Sequence, residues 1–230
     1  MQRTAVVIGA GQGMGKAIAL KLARNDIHVY LVGRTPAKLE AVGAQIAAEG
    51  GRYSIFAADV SQDGALDGLK PEFEHGLDIL VNCAGEALMN SFDETTFEDW
   101  QRIIAENMTT SFVATSTLLP DLRKSDNASI LLLSSKVALK AASVVAYAAA
   151  KSGLLGFARS LSLVLREEGI RVVALCPGAT DTPMRWAATP EMNHDLTIDA
   201  GSVAETAWFI VNLPRGTTTG EILIQAELYQ

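Results

Sequence analysis

Tyr147 and Lys151 stand four residues apart in the run SVVAYAAAKSGLLGF, which reads as helical. Four residues is a little over one turn, so a phenol and an ammonium share one helix face. A free tyrosine, with a pKa of about 10, is mostly protonated at neutral pH and is a sluggish base. A nearby ammonium stabilises the phenolate and pulls that pKa down. The pair is therefore a candidate acid/base device. Alone it is also what a solvated helix surface offers, so its meaning depends on its surroundings.

A second candidate lies near the N-terminus, where Gly9-Ala-Gly11-Gln12-Gly13-Met14-Gly15 follows an apolar run and opens a helical pattern. Glycine lets the backbone turn tightly and approach a pyrophosphate, and the helix that follows offers free N–H groups and the positive end of its dipole. The spacing is G-x-x-x-G-x-G, a variant of the usual dinucleotide fingerprint. Gly9, Gly11, Gln12, Gly13, Met14 and Gly15 are the expected cofactor contacts. The next apolar run ends in Val32-Gly33-Arg34-Thr35. A carboxylate there would take the adenosine ribose hydroxyls, the NAD arrangement, but none occurs before Glu40. Arg34 stands there instead and could grip a 2′-phosphate with paired, charge-assisted hydrogen bonds. NADP(H) is expected, with NAD(H) the weaker alternative.

The elements that must position these groups are legible as seven short apolar runs, at 4–9, 28–33, 53–58, 77–82, 129–134, 171–176 and 221–226. They are continuously apolar, as in strands buried on both faces. Helical segments are expected at 13–25, 36–49, 62–74, 91–106, 109–124, 147–168 and 202–212. Such alternation implies an α/β fold: a Rossmann-type, doubly wound sheet of seven mainly parallel strands with helices on both faces. Gly50-Gly51 and Gly169 read as helix stops. No repeat or linker divides residues 1–230, so a single cofactor-binding domain is expected. Residues 178–201 have no clear pattern, and a stretch of that length suggests a substrate loop.

Composition narrows the partners. The chain has 230 residues, 49% hydrophobic and 20% charged, enough for a substantial core. Its net charge of −7, with no basic block, argues against nucleic acid and anionic membranes. Cys83 and Cys176 end apolar runs, and His28, His75 and His194 are far apart, so no metal-ligand spacing exists. No uninterrupted apolar run reaches the roughly 18 residues of a membrane helix. The N-terminus enters a strand pattern directly, with no signal-peptide pattern, and cytoplasmic localisation is expected.

Taken in order, these pieces resemble the short-chain dehydrogenase/reductase family in its compact branch, over nearly the whole length. The resemblance rests on the glycine loop, Asp59-Val60, Asn82-Cys-Ala84-Gly85, Asn107 in WQRIIAEN, Ser134-Ser135, Tyr147-x-x-x-Lys151 and Pro177-Gly178-x-x-x-Thr182-x-Met184. It implies a ketone/secondary-alcohol oxidoreductase with a small-molecule substrate, working as a homodimer or homotetramer. Tyr147 would be the proton donor or acceptor. Lys151 would tune it and bind the nicotinamide ribose, a serine would hold the substrate oxygen, and Asn107 would help keep a relay water. Asp59 and Val60 would contact adenine. Asn82, Ala84 and Gly85 would line the cofactor groove, joined by Pro177, Gly178 and Thr182.

The serine is ambiguous: strand register selects Ser135, whereas the commonest spacing back from Tyr147 selects Ser134. We take Ser135, because one step of strand register flips a side chain to the other face. Ile8 replaces the usual threonine, Cys83 replaces an asparagine, and Lys136 and Lys140 occupy the loop after Ser135. In the 185–200 segment, Met184 and Trp186 could cover an apolar substrate, with Arg185 or His194 at a polar end; Trp186 could equally be core. The competing reading is a catalytically silent NADP(H)-binding sensor or scaffold. The intact Ser, Tyr, Lys and Asn set weighs against it.

Overall fold

The computed structural model describes residues 2–140 and 142–228; Ala141, in the loop after Ser135, lies outside them. In chain order the strands are β1 (Thr4–Ile8), β2 (His28–Gly33), β3 (Tyr53–Ala57), β4 (Ile79–Asn82), β5 (Ser129–Leu133), β6 (Arg171–Pro177), β7 (Thr180–Asp181), β8 (Ile198–Asp199) and β9 (Glu221–Ile224). Seven of them form one sheet in the order β3-β2-β1-β4-β5-β6-β9, and every pairing is parallel. The helices are α1 (Gly13–Arg24), α2 (Pro36–Ala48), α3 (Phe97–Ile104), α4 (Thr110–Leu122), α5 (Val145–Leu165), α6 (Pro183–Ala188) and α7 (Ala200–Val211).

Side-chain alternation along the strands builds two cores. Val6, Ile8, Leu80, Ile130, Leu132 and Val172 pack against Val113, Leu118, Leu154 and Leu155 of α4 and α5. Ala5, Val7, Val29, Ile79, Leu131 and Val173 face Ile18, Leu22, Val42, Val203 and Ile210 of α1, α2 and α7. Helix α7 packs extensively on α1. Both faces are therefore apolar, which is why the inner strands read as unbroken runs. The edges depart from that expectation: Ile55 of β3 and Leu223 of β9 are exposed.

Two helical expectations, and that of a patternless 178–201, are revised. Residues 62–74 form no α-helix but a 3-10 segment, Asp67–Phe73, that carries Leu69 and Phe73 into the core below Leu66. The two helices expected at 91–106 and 109–124 are one run from Phe97 to Leu122, interrupted by a π turn at Ala105–Thr109. Thr96 and Asp99 close its N-terminus as a reciprocal capping box, which explains the later start. Finally, residues 178–201 are ordered, by the β7–β8 pair and α6.

Helix α5 with its 3-10 extension, Val145–Glu168, is long and apolar enough by composition to cross a membrane, with a mean hydropathy of 1.2. It packs on β6 and on the π turn, and Lys151 and Arg159 interrupt its apolar sequence. About a third of its most apolar stretch is buried against the fold. Phe112 of α4, with Leu163 and Val164 of α5, remains exposed.

One buried charge on β6 ties the segment between α7 and β9 to the sheet. Arg171, 5% exposed, donates to Ser129 Oγ (2.6 Å) and to the carbonyls of Thr217 (2.7 Å), Leu213 (2.9 Å) and Pro214 (3.0 Å). Replacing it with methionine leaves those acceptors unpaired. Arg171→Met is expected to cost about 3 kcal/mol in urea unfolding. A loss below about 1 kcal/mol would show that water satisfies the loop carbonyls equally well.

Candidate active site

The sheet order reverses at β1, whose neighbours β2 and β4 lead to helices on opposite faces. A crevice opens where the two chain directions part, beyond the carboxyl ends of the strands. Its walls come from the loops after β1, β2, β3 and β4, with Glu106 and Thr110 on one side and Thr182, Pro183 and Met184 on the other. The glycine loop forms the floor. Gly9 has φ +80°, and a Cβ there would lie 2.8 Å from the backbone N of Ala84. A Cβ on Gly15 would lie 2.2 Å from the Gly9 carbonyl oxygen. Bare backbone is thus required at both positions, which supplies the close approach expected of the loop.

No side chain caps the N-terminus of α1, and no acidic residue lies in its first turn. Its N–H groups and positive dipole end are available to an anion. Lys38, which sequence reasoning did not single out, adds a cation on the rim, with Nζ 2.7 Å from Gln12 Oε1. The floor and this helix end fit a cofactor pyrophosphate, one group stripped of Cβ atoms and the other rich in unclaimed donors.

At the outer end Arg34, Asp59 and Val60 line the crevice. Asp59 is held below the usual carboxylate range, first by the Ser61 hydroxyl (2.8 Å), then by the Ser61 N–H and the Arg34 guanidinium. Glu106 of the π turn also reaches this end, with Oε1 2.5 Å from Arg34 Nη1. The sequence reading missed it, because no local spacing links residues 34 and 106. At the inner end stand Cys83, Ala84 and Gly85. Burial pushes the Cys83 thiol up to about 12, so it is an uncharged wall.

Gly85 joins the crevice to the acid/base pair: a Cβ there would lie 3.3 Å from Lys151 Nζ and 2.5 Å from Asn107 Oδ1. Asn107 is fully buried. Its amide nitrogen donates to the carbonyls of Ile103 and Glu86, both at 2.9 Å, and its oxygen accepts from Glu86 N–H at 3.3 Å. Its side chain thus clamps the segment after Gly85 to the π turn. Lys151 donates to the Leu133 carbonyl at 2.8 Å, and its Nζ lies 5.8 Å from the Tyr147 ring centre.

The two serines part company. Ser134 is buried and donates to the backbone carbonyl of Lys151 at 2.9 Å. Ser135 faces Tyr147, hydrogen bonding toward the phenol and lowering its pKa. That contact does not set the sign. Burial dominates, and Tyr147 is raised above its ordinary value, with Ser135 and then Arg185 opposing. This reverses the downward shift expected from the Tyr-Lys pair. Burial acts on Lys151 as well, lowering its pKa to about 8, so the cation meant to tune the phenol is itself desolvated.

Three residues expected in the groove do not line it. Asn82 turns into the fold, its Nδ2 3.3 Å from Thr115 Oγ1 and its buried Oδ1 without a hydrogen-bond partner. Pro177 is buried at the end of β6, and Gly178 packs against Gln225, its N–H bonded to the Ile224 carbonyl at 2.7 Å. The stretch that follows builds the rim. Trp186 stacks on His194 at 3.9 Å and donates to Asp181 at 2.6 Å, so it is neither core nor a free cover. Among the described residues no cluster could hold a metal ion.

The short chain dehydrogenase family matches residues 3–193. The chain is 32% identical over 205 residues to 2,3-dihydro-2,3-dihydroxybenzoate dehydrogenase of Bacillus subtilis, covering 87% of this chain and 78% of that protein. It is 31% identical over 197 residues to D-beta-hydroxybutyrate dehydrogenase of Rhizobium meliloti, covering 83% and 76%. An alcohol dehydrogenase from the archaeon Thermococcus sibiricus, solved with 5-hydroxy-NADP, has the same fold, with a TM-score of 0.91 at 22% identity over 100% of this chain and 98% of that one.

The buried lysine has a thermodynamic signature. Its depression from 10.5 to about 8 corresponds to about 3 kcal/mol at about 1.4 kcal/mol per unit. Below pH 8 the ammonium is buried in the folded chain and solvated in the unfolded one, which opposes folding. Between pH 8 and 10.5 the unfolded chain binds the extra proton, so stability rises with pH. In urea unfolding at several pH values, Lys151→Met is expected to lack that rise, while the orphaned Leu133 carbonyl offsets the stability gained at pH 7. An unchanged slope would mean that Lys151 does not titrate in this window.

Proposed function

The chain belongs to the short-chain dehydrogenase/reductase family, and from that membership we propose that it interconverts a ketone and a secondary alcohol, with NADP(H) preferred over NAD(H). The observation that carries this reading is that Tyr147 meets Ser135 and Lys151 just behind Gly85, which lines the inner end of a glycine-floored crevice. Bound there, a nicotinamide cofactor supplies or accepts the hydride. Gly9, Gly11, Gln12, Gly13, Met14 and Gly15 would hold its pyrophosphate. Asp59 and Val60 would flank the adenine, Arg34 would take the 2′-phosphate, and Ala84, Gly85 and Thr182 would form the walls.

Tyr147 is the acid/base. Burial keeps its phenol protonated at neutral pH, the state needed to give a proton to an alkoxide as it forms. Taking a proton in the oxidative direction requires nearby positive charge, which Arg185 exerts on Tyr147 and which Lys151 would add when protonated. Ser135, the serine whose hydroxyl is not spent on the helix backbone, orients the substrate oxygen. Asn107 acts as a positioning residue, because its amide is engaged with Glu86 and Ile103. The chain would work as one cofactor-binding domain with a substrate loop at 178–201. The exposed Phe112, Leu163 and Val164 support a homodimer or homotetramer, and two free cysteines suit the cytoplasm.

The test is NADPH consumption at 340 nm against a panel of ketones and 3-oxo compounds. Tyr147→Phe is expected to abolish turnover while still binding NADPH. Ser135→Ala is expected to lower kcat by about a hundredfold or more, and Ser134→Ala far less. Arg34→Ala is expected to weaken NADPH but not NADH. Full turnover by Tyr147→Phe would refute the acid/base assignment. Tight NADPH binding with no turnover on any carbonyl would favour the silent sensor.

A further inference from the structure

We propose that Glu106 sets the strength of the cofactor preference, acting as a built-in anionic competitor for the guanidinium of Arg34. The inference rests on the reading that Arg34 takes the 2′-phosphate of NADP(H). Glu106 Oε1 lies 2.5 Å from Arg34 Nη1, at the outer end of the crevice that both residues line. The two partners are unequally held. The Glu106 side chain is 14% exposed and springs from the π turn, while that of Arg34 is 59% exposed. The carboxylate is thus the fixed member and the guanidinium the one able to move.

Asp59 lines the same end and also feels the Arg34 charge, so two carboxylates share that guanidinium's field. The group that would arrive, a phosphate monoester, carries roughly two negative charges at neutral pH. To bond the guanidinium it must displace Glu106 or share Arg34 with it, and either course places like charges together in a partly desolvated site. A free 2′-hydroxyl meets no such conflict. It can donate to a carboxylate and leave the Arg34–Glu106 pair intact. Glu106 therefore handicaps the phosphorylated cofactor alone, and the net preference is the pull of Arg34 reduced by this competition.

The experiment is equilibrium titration of NADPH and NADH, followed by nicotinamide fluorescence, on wild type, Glu106→Gln, Arg34→Ala and the double variant. Glu106→Gln is expected to tighten NADPH about tenfold while moving NADH less than about threefold, with the gain smaller in high salt. In the Arg34→Ala background the same change is expected to have little effect on NADPH. Glu106→Ser repeats the test without an amide that could keep bonding Arg34, and melting curves establish that each variant is folded. An unchanged NADPH/NADH ratio would overturn the inference, as would weaker NADPH binding, which would make Glu106 a holder of Arg34. If Arg34→Ala weakens NADPH while Glu106→Gln leaves the ratio alone, only the role of Glu106 fails. If Arg34→Ala leaves NADPH unaffected, the underlying cofactor reading fails with it.

Discussion

Two hydrogen bonds cross between β5 and α5 and set everything nearby. The Lys151 ammonium donates to the carbonyl of Leu133, and the Ser134 hydroxyl donates to the carbonyl of Lys151. Each side chain thus holds the other element's backbone, in a place where water cannot substitute. Unpaired, those buried groups would each cost about 1–3 kcal/mol, so the arrangement has little freedom to slide. One consequence is angular. With Lys151 fixed, Tyr147 one turn earlier must face the end of β5, and there it meets Ser135. The adjacent serines divide the work, one holding α5 and the other facing the Tyr147 phenol.

Burial governs the electrostatics of this corner as well. Tyr147 is raised and Lys151 lowered for the same reason, the loss of water around whichever form carries charge. Each group is pushed toward its uncharged form by the same loss of water. The crevice beside them is built on the opposite principle. Its floor is backbone, its helix end is uncapped, and its rim carries Lys38 and Arg34. A chain of net charge −7 therefore keeps a local region receptive to anions, and Glu106 and Asp59 moderate it at the outer end.

The strands were readable from the sequence because burial on both faces leaves an unbroken apolar signature, and the glycine loop because its backbone constraint admits almost no other residue. What escaped notice depended on distance or on solvent. Glu106 meets Arg34 only because the π turn and the end of β2 converge, and nothing near either residue announces it. The sign of the Tyr147 shift could not follow from a neighbour at four residues, since desolvation belongs to the fold and not to the pair. The resemblance puts Asn82 in the groove, but alternation along β4 turns it toward Thr115, while Cys83, Ala84 and Gly85 line the groove. The segment at 178–201 looked patternless because its strands are two residues long, too short for any period to show.

The π turn at Ala105–Thr109 also acts as a phase shifter. One extra residue in a helical run rotates everything beyond it by about 100° relative to a regular helix. Upstream, Ile103 is turned toward Ala146 and Ala150. Downstream, Val113 and Leu118 are turned into the sheet and Phe112 away from it. The two halves therefore obey different rotational settings, and the odd residue between them reconciles the needs of the site with those of the core. A chain shortened by one residue here would keep its helix, its length to within about 1.5 Å and nearly its whole composition, yet one of the two halves would have to present the wrong side.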